Sequence, residues 1–202
     1  DFLFAQASWH LANLDNLEVV KLLSRVIMDL ADGEVKQGLF RYDSGQSFST
    51  YLEKSYCKTG SLIANSAKAA GVLSEQDNEH LTSLHHFGRQ LGLAFQVVDD
   101  ILDFTGSDQQ LGKPSASDLA SGYLTAPALF ALEEHPSLSL LIEREFSGEG
   151  DLEKALDMVR DSKAISRARD LAENFARESR EALTWLPESP CGRALLELPD
   201  FV

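Results

Sequence analysis

Apolar residues recur along most of this chain at the three- and four-residue spacing of helices, and no window alternates apolar and polar residues as a half-buried strand would. Leu17, Val20, Leu23, Ile27 and Leu30 form one such stripe; Ile165, Ala168, Ala172, Phe175 and Ala182 form another. Ser74 before "EQDNEHL" and Asp151 before "LEKAL" are candidate helix starts, because a short oxygen side chain can accept from the open amides of a first turn. Between the periodic segments, "RYDSGQS", "FTGSDQQLGKPSAS", "EFSGEG" and "LPESPCG" carry the Gly, Pro, Ser and Asp of loops. No internal repeat, low-complexity tract or interdomain linker interrupts this pattern. It predicts a single all-α bundle of about seven or eight helices.

One apolar segment breaks its own rule. Residues 91–106, "LGLAFQVVDDILDFTG", carry Asp99, Asp100 and Asp103 in an otherwise core-like helix. Helical spacing puts Gln96, Asp99, Asp100 and Asp103 on one polar strip, with Leu93, Val97, Val98, Ile101 and Leu102 on the other sides. Burying an unpaired carboxylate costs several kcal/mol, and close neighbours repel each other. A solvated polar face is the plain alternative. It places three acids toward the "DFTG" end of the helix, however, where the macrodipole is negative. A hard divalent cation would offset that charge. Oxygen ligands without an accompanying His or Cys set favour Mg²⁺ over zinc. Mg²⁺ holds few carboxylates and completes its shell with water and phosphate oxygens, so a phosphorylated ligand is implied.

Charge and composition narrow the partners. The 202 residues are 44% hydrophobic and 25% charged, the balance of an ordinary soluble domain. Acidic residues outnumber basic ones 32 to 18, and a net charge of -14 repels nucleic-acid phosphates. Apolar runs such as "GLAFQVV" fall far short of the roughly 20 residues that span a bilayer. Peripheral membrane contact is compatible with that. Cys57 and Cys191 have no metal-ligand spacing and suit a reducing compartment. The chain opens on "DFLFAQASWHLANL", already helix-like and without an initiator methionine, and reads as a piece of a longer protein.

Two lysines extend the phosphate reading. Lys58 lies in "YCKTGSL" and Lys113 in "LGKPSAS"; each alone reads as a surface charge, but beside the aspartates they suit a diphosphate. The Gly106 to Lys113 segment is no Walker A loop, because five residues separate its glycines and Pro114 stands where Ser or Thr is required.

The segment "FQVVDDILDFTGSDQQLGKPSASDLASGYLTAP" closely resembles the second aspartate-rich region of trans-polyprenyl diphosphate synthases. The similarity extends to the start of the chain, to "DGEVKQG" and to "YCKTGSLIANSAKAAGVLS", and is strongest to plant and algal solanesyl diphosphate synthases. The resemblance implies an isoprenoid synthase-type helical bundle, with residues 1–202 the C-terminal portion of a single domain whose N-terminal helices are missing. It implies a prenyltransferase that elongates an allylic diphosphate with isopentenyl diphosphate to a long-chain all-trans product. Mg²⁺ would assist ionisation, and condensation and proton elimination would follow. By position, Asp99, Asp100 and Asp103 would serve Mg²⁺, Lys58 and Lys113 would contact diphosphate, and Thr59 and Gln96 would line the site. A homo- or heterodimer in a plastid is also implied.

Two departures qualify this. Tyr123 in "GYLT" stands where the family usually has a lysine. The family's first aspartate-rich motif and its isopentenyl diphosphate-binding basic residues lie upstream of these residues, so the 202 residues alone should be inactive. Two alternatives follow: a non-catalytic partner subunit, and a class I terpene cyclase, against which Lys58 and the Gly-Lys-Pro loop argue. His85 and His86 lack zincin spacing and read as packing residues. Asp29, Asp32 and Glu34 read as a solvated face or, with Gln37, as a border of the cavity; Phe87, Phe95 and Phe104 read as core or as channel lining.

Overall fold

The computed structural model describes residues 2–106 and 116–202. Among them are eleven α-helices: α1 (Phe2–Ala12), α2 (Leu17–Leu39), α3 (Phe48–Ser55), α4 (Ser61–Leu73), α5 (Asn78–Thr105), α6 (Ser117–Ala120), α7 (Ala126–Glu134), α8 (Leu138–Glu143), α9 (Asp151–Asp161), α10 (Ala164–Glu181) and α11 (Pro190–Glu197). A π turn (Tyr56–Gly60) joins α3 to α4, and a 3₁₀ turn (Leu198–Phe201) follows α11. The described residues contain no strand. Seven helices have nine or more residues, close to the predicted number. The remaining four, α3, α6, α8 and α11, have eight residues or fewer.

Helix α5 is the axis of the bundle, packed along α4 on one side and α10 on the other. Val97, Ile101 and Phe104 of α5 join Leu119, Leu124, Leu129, Leu138, Ile142, Val159 and Ala168 in the main core. Phe87 and Leu91 form a second cluster with Leu183. The backbone of α5 approaches α4 and the π turn so closely that a Cβ on Gly88 would lie 2.6 Å from the Cα of Ala64 in α4, and one on Gly92 would lie 2.5 Å from the Cα of Gly60 in the π turn.

Several details differ from the sequence reading. The Ala168 and Ala172 stripe is buried as patterned. The α2 stripe is not: Leu17, Ile27 and Leu30 are exposed, and the buried positions are Val19, Asp29 and Gly33. Helix α2 has apolar residues on two sides, and Gly33 decides the packing face because its bare backbone admits Lys58 and Cys57. Asp29 is therefore buried, accepting from Arg25 Nε at 2.7 Å and Ser61 Oγ at 2.5 Å, while Asp32 and Glu34 are exposed. Helix α5 starts at Asp77, whose carboxylate accepts from the amide of His80; Ser74 closes α4 instead. Ser189 caps α11, so Cys191 and Gly192 are helical, not loop. Cys57 is buried and Cys191 exposed, both as free thiols. Phe87 and Phe104 are core, and Phe95 is exposed. His85 faces the Tyr56 hydroxyl at 3.4 Å, in keeping with a packing role.

Candidate active site

Ser47 caps α3 by accepting from the amide of Thr50, and from there Tyr51, Lys54, Ser55 and Lys58 follow at the i, i+3, i+4, i+7 spacing of one face. The π turn carries Lys58 and Thr59 and closes when the amide of Ser61 donates to the carbonyl of Tyr56, five residues back. Such turns recur at functional sites because they break the regular register of a helix. Facing it, α5 presents Gln96, Asp99 and Asp100. A cleft of about 240 Å³ lies between them, bordered also by Gln37, Asp118, Tyr123 and Thr125. A larger cavity of about 460 Å³ lies against Ala94, Val98 and Ile101, on the other side of α5 and away from all these residues.

The cleft is wired through Asp100. The Thr59 hydroxyl donates to Gln96 Oε1 at 2.8 Å, which turns Gln96 Nε2 onto Asp100 Oδ1 at 3.0 Å. The Tyr51 hydroxyl donates to Asp100 Oδ2 at 2.6 Å. Lys58 donates to Gln37 and lies 3.4 Å from Glu34. Lys54 donates to Gln46 Oε1 at 2.6 Å, and Gln46 Nε2 donates to the carbonyl of Leu124 at 3.2 Å. The Thr125 hydroxyl is buried on the cleft wall with no hydrogen-bond partner among the described residues.

Of the predicted site residues, Lys58, Gln96, Asp99 and Asp100 border the cleft, and Thr59 sits directly behind Gln96. Asp103 is buried one turn further along α5, where it accepts from the hydroxyl of Ser117 and the amide of Asp118, each at 3.1 Å. It is not among the residues that border the cleft. Lys113 lies outside the described residues. The sequence reading missed Tyr51, Lys54, Asp118 and Thr125. The spacing of 51, 54 and 55 relative to Lys58 was an available signal; Asp118 and Thr125 reach the cleft only through the tertiary fold. Among the described residues no three of His, Cys, Asp and Glu converge closely enough to enclose a metal ion by themselves.

Burial pushes the Asp100 carboxyl up to about 7; the hydrogen bonds from Tyr51 and Gln96 oppose this, and the charges of Asp118 and Asp99 add to it. Burial and the adjacent Asp100 raise the Tyr51 hydroxyl well above its ordinary range. Because the folded chain holds the Asp100 proton more tightly than the unfolded one, the stabilisation is complete below about pH 4, declines as pH rises toward 7, and is absent above it. In metal-free buffer, the stability difference between the protein and Asp100→Asn should therefore shift by a few kcal/mol between pH 4 and pH 8, against the native carboxylate at the higher pH. Denaturant titrations at the two pH values measure it; a constant difference would mean that Asp100 is ionised throughout.

A family profile for polyprenyl synthetases matches residues 1–159. The chain belongs to the polyprenyl synthetase family. It is 59% identical over its full length to a prenyl transferase of Synechocystis sp., covering 62% of that protein. It is 49% identical to the chloroplastic solanesyl diphosphate synthase 2 of Arabidopsis thaliana, covering 48% of it. The fold superimposes with a TM-score of 0.90 on a polyprenyl synthase from Caulobacter crescentus solved with calcium and isoprenyl diphosphate, at 33% identity, covering 100% of this chain and 63% of that one. This polyprenyl synthetase chain thus spans about three-fifths of the length of the first of these relatives. Its architecture is the isoprenoid synthase helical fold that the resemblance implied.

Proposed function

We propose that these residues are the C-terminal portion of one polyprenyl synthase domain, and that the full-length protein elongates an allylic diphosphate with isopentenyl diphosphate to a long-chain, solanesyl-like product. The observation that carries this is the composition of one cleft: two lysines, three aspartates and a buried hydroxyl with no partner among the described residues face each other across about 240 Å³. A neutral or purely cationic ligand would leave one of those charge sets unanswered. A diphosphate bound with a hard cation answers both.

The oxygen-only donor set fits Mg²⁺: Asp99 and Asp100 would hold it, with Asp118 on the same cleft. The cation would neutralise the departing diphosphate and so favour ionisation of the allylic carbon–oxygen bond. The remaining work belongs to the chain. Lys58 and, by resemblance, Lys113 bind the diphosphate oxygens through charge-assisted hydrogen bonds. Tyr51 and Gln96 orient Asp100, and Thr59 fixes which end of the Gln96 amide faces it. Asp103 acts by resemblance in the same motif; its bonds to Ser117 and to the amide of Asp118 support a role in holding the start of α6, and thus Asp118, at the cleft. No helix among the described residues is long and apolar enough to cross a membrane, and chloroplastic relatives support a plastid location.

The test is a product assay of the full-length chain with geranylgeranyl diphosphate, radiolabelled isopentenyl diphosphate and Mg²⁺. Long-chain polyprenyl diphosphate is the expected product, and EDTA should abolish it. Cyclised hydrocarbon instead would identify a terpene cyclase. Absence of turnover, restored only by a second subunit, would identify a partner protein.

A further inference from the structure

We propose that Lys54 is a second diphosphate-binding ammonium of this site, beside Lys58. This rests on the diphosphate reading of the cleft. Lys54 is 8% exposed and borders the cleft, four residues before Lys58. Among the described residues its ammonium has one hydrogen-bond acceptor, the neutral amide oxygen of Gln46 at 2.6 Å, and no carboxylate within ion-pair distance. An ammonium carries three donors, so two are unspent. Burying a lysine without an anion is costly, and cores avoid it.

Gln46 makes the arrangement specific. Its own amide is anchored on the Leu124 carbonyl at 3.2 Å, so it holds the ammonium beside the 123–125 segment whose residues form the cleft wall. The ring of Phe40 covers the other side, with the ammonium 5.8 Å from its centre. The side chain is thus held before any ligand arrives, on the border of a cleft that it shares with Lys58, Asp100 and Thr125. Tyr123 brings no cation to that wall, and Lys54 supplies one beside it. Burial lowers the Lys54 ammonium and the nearby Lys58 adds to this, while Asp100 opposes it; a bound anion relieves both strains.

Titration calorimetry of the full-length protein with inorganic diphosphate in saturating Mg²⁺ tests this in four forms: wild type, Lys54→Gln, Lys54→Arg and Lys58→Gln, each checked for fold by circular dichroism. Lys54→Gln should bind about 10–100-fold more weakly, and Lys54→Arg should recover most of the loss. Wild-type affinity in Lys54→Gln together with weakened binding in Lys58→Gln would overturn the proposal and leave the cleft reading standing. No binding by the wild type, or wild-type affinity in both Lys54→Gln and Lys58→Gln, would overturn both. A crystal structure of the wild-type chain with Mg²⁺ and inorganic diphosphate needs no variant: a Lys54 ammonium in hydrogen-bond contact with a phosphate oxygen supports the assignment, and one bonded to Gln46 alone refutes it.

Discussion

Asp99→Ala in the full-length protein is expected to lower turnover by at least about 10²–10³-fold while leaving the melting curve unmoved. The two halves of that expectation come from different parts of the structure. Asp99 is exposed to the cleft and accepts no hydrogen bond from any described residue, so the fold loses nothing when it is truncated. Chemically it is the carboxylate least committed to the protein: Asp100 is bonded to Tyr51 and Gln96, and Asp103 to the start of α6. If a cation is held here, Asp99 gives it a charge that no partner among the described residues competes for. Steady-state kinetics at saturating Mg²⁺, beside circular dichroism, measure both quantities. Full activity in the variant would remove the metal assignment from Asp99 and leave the cleft as a lysine-lined anion site.

The largest effect on stability should come from one methyl group. Gly88→Ala puts a Cβ within 2.6 Å of the Ala64 Cα and the Ile63 carbonyl oxygen. Both are backbone atoms of α4, so no side chain can turn away and the two helices must separate. Overpacking of this kind costs roughly 1–3 kcal/mol, and a clash with backbone belongs at the upper end. At a few degrees per kcal/mol for a chain of this size, the midpoint should fall by about 6–12 °C. Gly92→Ala makes the same intrusion at Gly60, where it presses on the π turn. It should therefore slow turnover beyond what its stability loss explains, by displacing Lys58 and Thr59. Gly38→Ala is the control: nothing lies within 4 Å of its added Cβ, and α2 should gain a few tenths of a kcal/mol or more. Equal midpoints for Gly88→Ala and Gly38→Ala would mean that α4 and α5 are not in tight contact.

The site was legible in the sequence where one helix carries it. Gln96, Asp99 and Asp100 follow from the 3.6-residue period alone, since a polar strip on an apolar helix has to face something. The same period groups Asp103 with them, but its carboxylate accepts from Ser117 and the amide of Asp118 and does not border the cleft. A turn along the axis moves a side chain several ångströms, far enough for Asp103 to meet the chain returning at Ser117. Lys58 was found as a motif residue, yet Tyr51 and Lys54 on the same face were passed over. A tyrosine and a lysine in "TYLEKS" look like an ordinary surface turn until Asp100 and Gln46 are placed opposite them. For α2 the difficulty was different. Apolar residues on two sides leave periodicity without a unique answer, and a glycine, which has no hydropathy signal, decided it.

The π turn at Tyr56–Gly60 has a consequence for how this segment tolerates changes of length. Its five-residue hydrogen bond accommodates one residue more than an α-helix of the same span would, like an extra link in a chain wound on a drum. Deleting any one link would give a smoother helix from Phe48 to Leu73 and a better local hydrogen-bond pattern. Because the wide turn already takes up that residue, the helices on either side would keep close to their present faces, and the change would fall on the residues of the turn itself. Lys58 and Thr59 would lose the positions that the turn gives them, and Gln96 would lose its hydroxyl donor. Residues 56–60 can thus vary in identity wherever a side chain is free to change, but their number is fixed by the cleft on either side.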